Sequence, residues 1–148
     1  MRIYMDVCCL NRPYDDLSQA RVYLEAEAVL LIISICEDRE WTLLASTVID
    51  YELSKHSDLE RLGNVQALYA AANERVKLTD EIIQRAISFQ SRGLKKLDSL
   101  HLASAEIYKA DVFLTTDDRL LKNANKIDLK TTVANPVTWL MEVMENER

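Results

Sequence analysis

Four acids, Asp6, Glu52, Asp98 and Asp117, stand where side-chain oxygens could be gathered into one site. Clustered carboxylates repel one another unless a cation holds them. Oxygen ligands without His or Cys favour a hard ion, Mg2+ or Mn2+. Four negative charges balance two such ions, and a pair about 4 Å apart supports in-line phosphodiester displacement by activating water and stabilising the leaving oxygen. Asp6 and Asp117 each follow a short apolar run. Glu52 lies three residues after Ile49 and four after Val48, inside an apolar helical stripe rather than opposite it. Asp98 opens a segment with Leu102 and Ala105 on its own side. A carboxylate on a core-facing stripe must be paired, protonated or bound to a metal, because a bare buried charge is costly.

The elements that must position these acids alternate between two periods. Arg2–Met5 predicts a buried strand ending at Asp6, followed by a polar, Pro-containing loop over Asn11–Leu17. Ser18 is a candidate cap for a long helix to about Asp38, apolar nearly all round from Ala28 to Cys36. Trp41–Ala45 predicts a second strand, after which Ser46 or Thr47 caps the helix carrying Glu52. Ser57 or Asp58 opens a further helix to about Glu74, and Val76–Leu78 is the candidate third strand. Thr79 starts the next helix and Gly93 stops it. Asp98–Lys109 is helical by pattern, and Val112–Thr115 is a strand ended by Asp117 and Asp118. A short helix, a strand near Thr131–Val133 and a last helix follow, the last with Asn135 as N-cap and Pro136 as its first residue, running to Met144. Strand–helix alternation predicts an α/β fold in three layers, a mostly parallel sheet with helices on both faces. Ligands of such sheets bind beyond the carboxyl ends of the strands, where the strand order reverses. Asp6 and Asp117 face one crevice there if their strands are neighbours.

Composition sets the bounds. The 148 residues suit one domain, 1–148, and only four Gly and Pro leave no room for a linker or a Gly-rich phosphate loop. Cys8, Cys9 and Cys36 fit no CxxC spacing and read as structural thiols of a reduced, cytoplasmic protein. The apolar run Ala28–Ile33 is too short to span a bilayer, and MRIYMD places an acid where a signal peptide needs an apolar core. Neither His56 nor His101 has a Ser or Cys partner at a recognisable nucleophile turn. His101 follows Asp98 by one helical turn and reads as a core histidine or one that backs the acids. The net charge of −6 excludes a broad basic nucleic-acid face, so any such binding needs a local patch or bridging metal ions.

The segments Ile3–Asp6 (IYMD), Ser46–Leu53 (STVIDYEL), Lys96–Ala105 (KLDSLHLASA) and Leu114–Leu121 (LTTDDRLL) resemble, in order and spacing, the four signature stretches of PIN-domain nucleases. Toxin ribonucleases of the virulence-associated protein C type belong to that family. The resemblance implies a five-stranded sheet in the order 3-2-1-4-5 and carries Asp6, Glu52, Asp98 and Asp117 over as catalytic, Mg2+- or Mn2+-binding residues. The family's Thr-x-Asp pattern falls on Thr115 and Asp117, which prefers Asp117 to Asp118. Asp118 is left as an auxiliary acid or a helix cap. Ser46 and Thr115 stand at strand ends, where hydroxyls could orient the acids. Arg12, Lys95, Lys96 and Arg119 are candidate RNA-phosphate contacts, beside Arg92 and Lys122. The resemblance further implies an endoribonuclease leaving a 5′-phosphate, a small antitoxin partner and a homodimer. The alternative is a catalytically silent PIN-like module that binds RNA or protein, and a phosphatase would use the same acids. Many members carry a small hydroxyl residue after the first acid, where this chain has Val7, Cys8 and Cys9.

Overall fold

β1 comprises Arg2–Met5, with Ile3, Tyr4 and Met5 buried. The other strands are Thr42–Ser46 (β2), Glu74–Val76 (β3), Val112–Leu114 (β4) and Thr132–Ala134 (β5). All pairings are parallel and the order is β3-β2-β1-β4-β5, as the resemblance implies. Every residue of β4 is buried, and the near-continuous apolar runs of β1, β2 and β4 fit a sheet covered on both faces. The computed structural model describes residues 1–146.

Among the described residues, eight helices connect and cover the strands: Val7–Asn11 (α1), Ala20–Glu37 (α2), Thr47–Leu53 (α3), Leu59–Tyr69 (α4), Asp80–Ser91 (α5), Lys96–Ile107 (α6), Asp118–Ala124 (α7) and Pro136–Asn146 (α8). Parallel crossovers are right-handed. The steps from β1 to β2 to β3 run one way across the sheet and those from β3 to β4 to β5 run the other, so their helices lie on opposite faces. α2 packs against α8, and α5 against α6. Strand order reverses between β1 and β4, and their carboxyl ends open on one crevice. The Asp6 amide donates to Leu114 O at 2.9 Å, tying the two strand ends together.

Several boundaries differ from the sequence expectations. α1 follows β1 at once because the Asp6 side chain accepts from Val7 N and caps it. The expected loop over Asn11–Leu17 holds a 3-10 turn at Arg12–Tyr14. Ser18 caps nothing: α2 starts after Gln19, while the Ser18 amide donates to Asp16. α4 stops at Tyr69 rather than near Glu74, and β3 is Glu74–Val76 rather than Val76–Leu78. The reason lies at the sheet edge. Only Val76 of β3 is buried, while Glu74 pairs with Arg2 and Arg75 with Asp50, so the strand has no apolar run to announce it. The caps at Thr79 and Ser46 form as expected, and Gly93 ends the turn after α5 at φ +101°, a conformation that suits glycine.

Candidate active site

Asp6 sits at the switch point, 7% exposed. One carboxylate oxygen accepts from Val7 N at 2.8 Å. The other accepts from Thr115 Oγ1 at 3.0 Å and faces Cys8 Sγ at 3.4 Å. Thr115 Oγ1 also accepts from Asp117 N at 3.1 Å, so one hydroxyl joins the first acid to the backbone of the fourth. Of the two strand-end hydroxyls, Thr115 bonds an acid, whereas Ser46 Oγ caps α3 through Ile49 N and contacts Tyr4.

Glu52 projects from α3 toward α6, where its Oε1 lies 2.8 Å from His101 Nε2. Ligand atoms of Asp6, Glu52 and His101 all lie within 4.8 Å of one another. Asp98, in the first turn of α6, shares a cleft of about 210 Å3 with Asp117, Lys95, Arg119 and Gly93. Burial raises the Asp98 carboxyl above its ordinary value, His101 and Lys95 oppose the rise, and the charges of Asp117 and Glu52 add to it. The structure thus gathers Asp6 and Glu52 around His101, and Asp98 and Asp117 along one cleft. Asp117 is the N-cap of α7, accepting from Arg119 N at 3.0 Å and Leu120 N at 3.2 Å.

Burial pushes the Asp6 carboxyl well above its ordinary value, and the Cys8 sulfur adds to that rise. The adjacent Cys9 thiol has the largest effect on Cys8, drawing it down to about 6, with Thr115 and Thr116 assisting against burial. Such a donor set, oxygen-rich, partly buried and self-repelling, fits a hard divalent cation.

The structure separates the other candidates. Asp118 is not the cap of α7; both of its oxygens accept from the Arg21 guanidinium, at 2.6 and 2.7 Å. Arg12 turns inward to the buried Glu25 at 2.7 Å and to Asp15 at 3.2 Å. Lys95 and Arg119 flank the cleft of Asp98 and Asp117. Lys96 faces a separate apolar cleft with Leu97, Leu100, Val48 and Tyr51. Two features lack a strong sequence signal. Tyr4 is a phenol among the buried apolar residues of β1, and Glu25 is one of three acids in α2, held by Arg12, Arg21 and Asn135.

Fold and site define a class: a parallel α/β protein with an acidic crevice at the reversal of strand order. The PIN domain model matches residues 3–126, and the chain belongs to the PIN-domain family, whose members are generally nucleases. No curated protein matches its sequence. Among solved structures it is similar to VapBC2 from Rickettsia felis, determined bound to a DNA fragment from its promoter. That match has a TM-score of 0.58 at 13% identity and covers 91% of this chain and 98% of that one. VapBC-1 from nontypeable Haemophilus influenzae also matches, with a TM-score of 0.58 at 15% identity, covering 92% and 98%. PAE2754 from Pyrobaculum aerophilum matches with a TM-score of 0.55 at 17% identity, covering 99% and 90%.

Proposed function

We propose that the chain, acting as a single domain, is a divalent-metal-dependent endoribonuclease and the toxin of a toxin–antitoxin pair. The observation that carries this reading is the approach of the Asp6 and Glu52 carboxylates at the switch point, with Asp98 and Asp117 lining the adjoining cleft. These four acids would hold Mg2+ or Mn2+. Bound there, the metal supplies water activation and charge neutralisation at a phosphodiester. Thr115 orients Asp6, and the backbone amides of α7 orient Asp117. Lys95 and Arg119 stand where they can meet RNA phosphates. Arg12, engaged by Glu25, is withdrawn from that role. Likeness to the VapBC structures supports a small antitoxin partner; that this partner covers the crevice, and that the chain forms a homodimer, belong to the same proposal. No helix among the described residues is long and apolar enough to cross a membrane; the cytoplasm is the proposed compartment.

The test is cleavage of mixed RNAs with Mn2+ and Mg2+. Wild type cleaves, and Asp6→Asn and Asp98→Asn each lose more than about 100-fold, the scale of removing one preorganised electrostatic group. Equal cleavage by all three proteins would assign the activity to a contaminant. One observation favours the silent module instead: both Asp6 oxygens already have protein partners, Val7 N on one and Thr115 and Cys8 on the other. Absence of cleavage across metals and RNAs would select it.

A further inference from the structure

Behind the acids runs a buried chain of polar contacts that the four-carboxylate site does not use. His101 Nε2 lies 2.8 Å from Glu52 Oε1, and His101 Nδ1 lies 2.6 Å from Tyr4 Oη. Tyr4 Oη lies 2.7 Å from Ser46 Oγ, which accepts from Ile49 N at 3.0 Å. His101, Tyr4 and Ser46 are each at most 1% exposed, so water cannot complete their bonding. Tyr4 also stacks on Phe113 at 5.3 Å and meets the His101 ring edge-on at 5.6 Å.

Proton counting gives the chain a direction. An ionised carboxylate only accepts, so Nε2 must carry the imidazole proton; Nδ1 of the neutral ring then accepts. Tyr4 donates to Nδ1, Ser46 donates to Tyr4, and Ile49 N donates to Ser46. Every proton is placed once. The reverse direction sets the Nε2 lone pair against a carboxylate oxygen and strands the Ser46 hydroxyl proton without an acceptor, which is costly in a buried network. A doubly protonated ring strands the same proton.

We infer that His101 is a positioning residue: oriented by Tyr4 and Ser46, it donates from Nε2 to one oxygen of Glu52 and leaves the other free for a metal ion. The circuit closes on itself, because Ser46 also caps α3, the helix that carries Glu52. Carboxylates that ligate metals commonly depend on such outer hydrogen bonds, at 10–100-fold in metal affinity. This inference rests on the metal-site reading, and the experiment separates the two.

Mn2+ is titrated into the full-length metal-free chain and followed by electron paramagnetic resonance, for wild type, Glu52→Gln, His101→Phe, His101→Gln and Tyr4→Phe. Wild type binds, Glu52→Gln does not, and His101→Phe weakens binding by about 10–100-fold. His101→Gln, whose amide nitrogen can donate from the place of Nε2, recovers to within about threefold of wild type. Tyr4→Phe, which leaves the tautomer unsteered, falls between. Histidine 15N NMR of the metal-free protein shows the proton of His101 on Nε2, a readout independent of whether His101→Phe folds. Undiminished binding by a folded His101→Phe, a proton on Nδ1, or an imidazole nitrogen coordinated to Mn2+ would each overturn the positioning role while leaving the acid site standing. Failure of wild type to bind Mn2+ at all would remove the metal site and this role together.

Discussion

The Asp6 carboxylate accepts from Val7 N and Thr115, yet burial still favours its neutral form. Its contribution to stability follows from that. The folded carboxyl holds its proton more tightly than the unfolded one, so below the ordinary carboxylate range Asp6 and Asn behave alike. As pH rises from that range through the raised folded value, ionisation stabilises the unfolded chain first. Asp6→Asn keeps an oxygen for the Val7 cap and sheds the charge. It is expected to raise the Tm of the metal-free protein near neutral pH by about 2–4 °C, the shift of ~1 kcal/mol at this size. The gap should open across the stated window and vanish in acid; calorimetry in chelator over a pH series checks this. Cys8 offers a second handle. Its thiol is drawn to about 6, whereas burial pushes Cys9 well up and Cys36 to about 11. Iodoacetamide is expected to modify Cys8 first, with a rate midpoint near pH 6, and saturating Mn2+ should slow the reaction. Peptide mapping with and without the ion reads both.

Among the elements, α3 and α7 are set by local chemistry visible in the chain. Ser46 accepts from Ile49 N and Asp117 from Arg119 N, each a polar side chain meeting a free amide in the first turn. α2 is different. Its apolar character is legible, but what fastens it is Glu25, 1% exposed and held by Arg12 from the 3-10 turn, Arg21 one turn earlier and Asn135 before α8. Arg21 extends the tie to Asp118 at the start of α7. Glu25→Ala leaves Arg12 partly buried without its principal partner. It is expected to cost about 3–5 kcal/mol in urea unfolding, the scale for stripping one member from a buried ion pair.

At the scale of the whole molecule, a cation bound at the crevice would join β1, α3, α6 and the start of α7, elements far apart in the chain. A ligand that binds only the folded state stabilises it by mass action, about 2.7 kcal/mol at a hundredfold excess over Kd. Mn2+ is therefore expected to raise the Tm of wild type and to leave Glu52→Gln unmoved; thermal scans across Mn2+ concentrations test it. The order of strands, most of the helices, the caps at Ser46, Asp58, Thr79 and Asn135 and the apolar core were legible in the sequence, because periodicity and capping are local; α1 and its Asp6 cap were not. The edge strand β3 was not: one buried residue carries no period. The candidate acids were legible as types at strand ends and on helix faces, since burial of a charge demands an explanation wherever it occurs. Tertiary structure alone decided which groups meet. It sent Arg12 and Asp118 to Glu25 and Arg21, and set His101 of α6 against Glu52 of α3, residues 49 positions apart. Those pairings depend on how helices from different crossovers seat on the sheet, and no spacing along the chain encodes that distance.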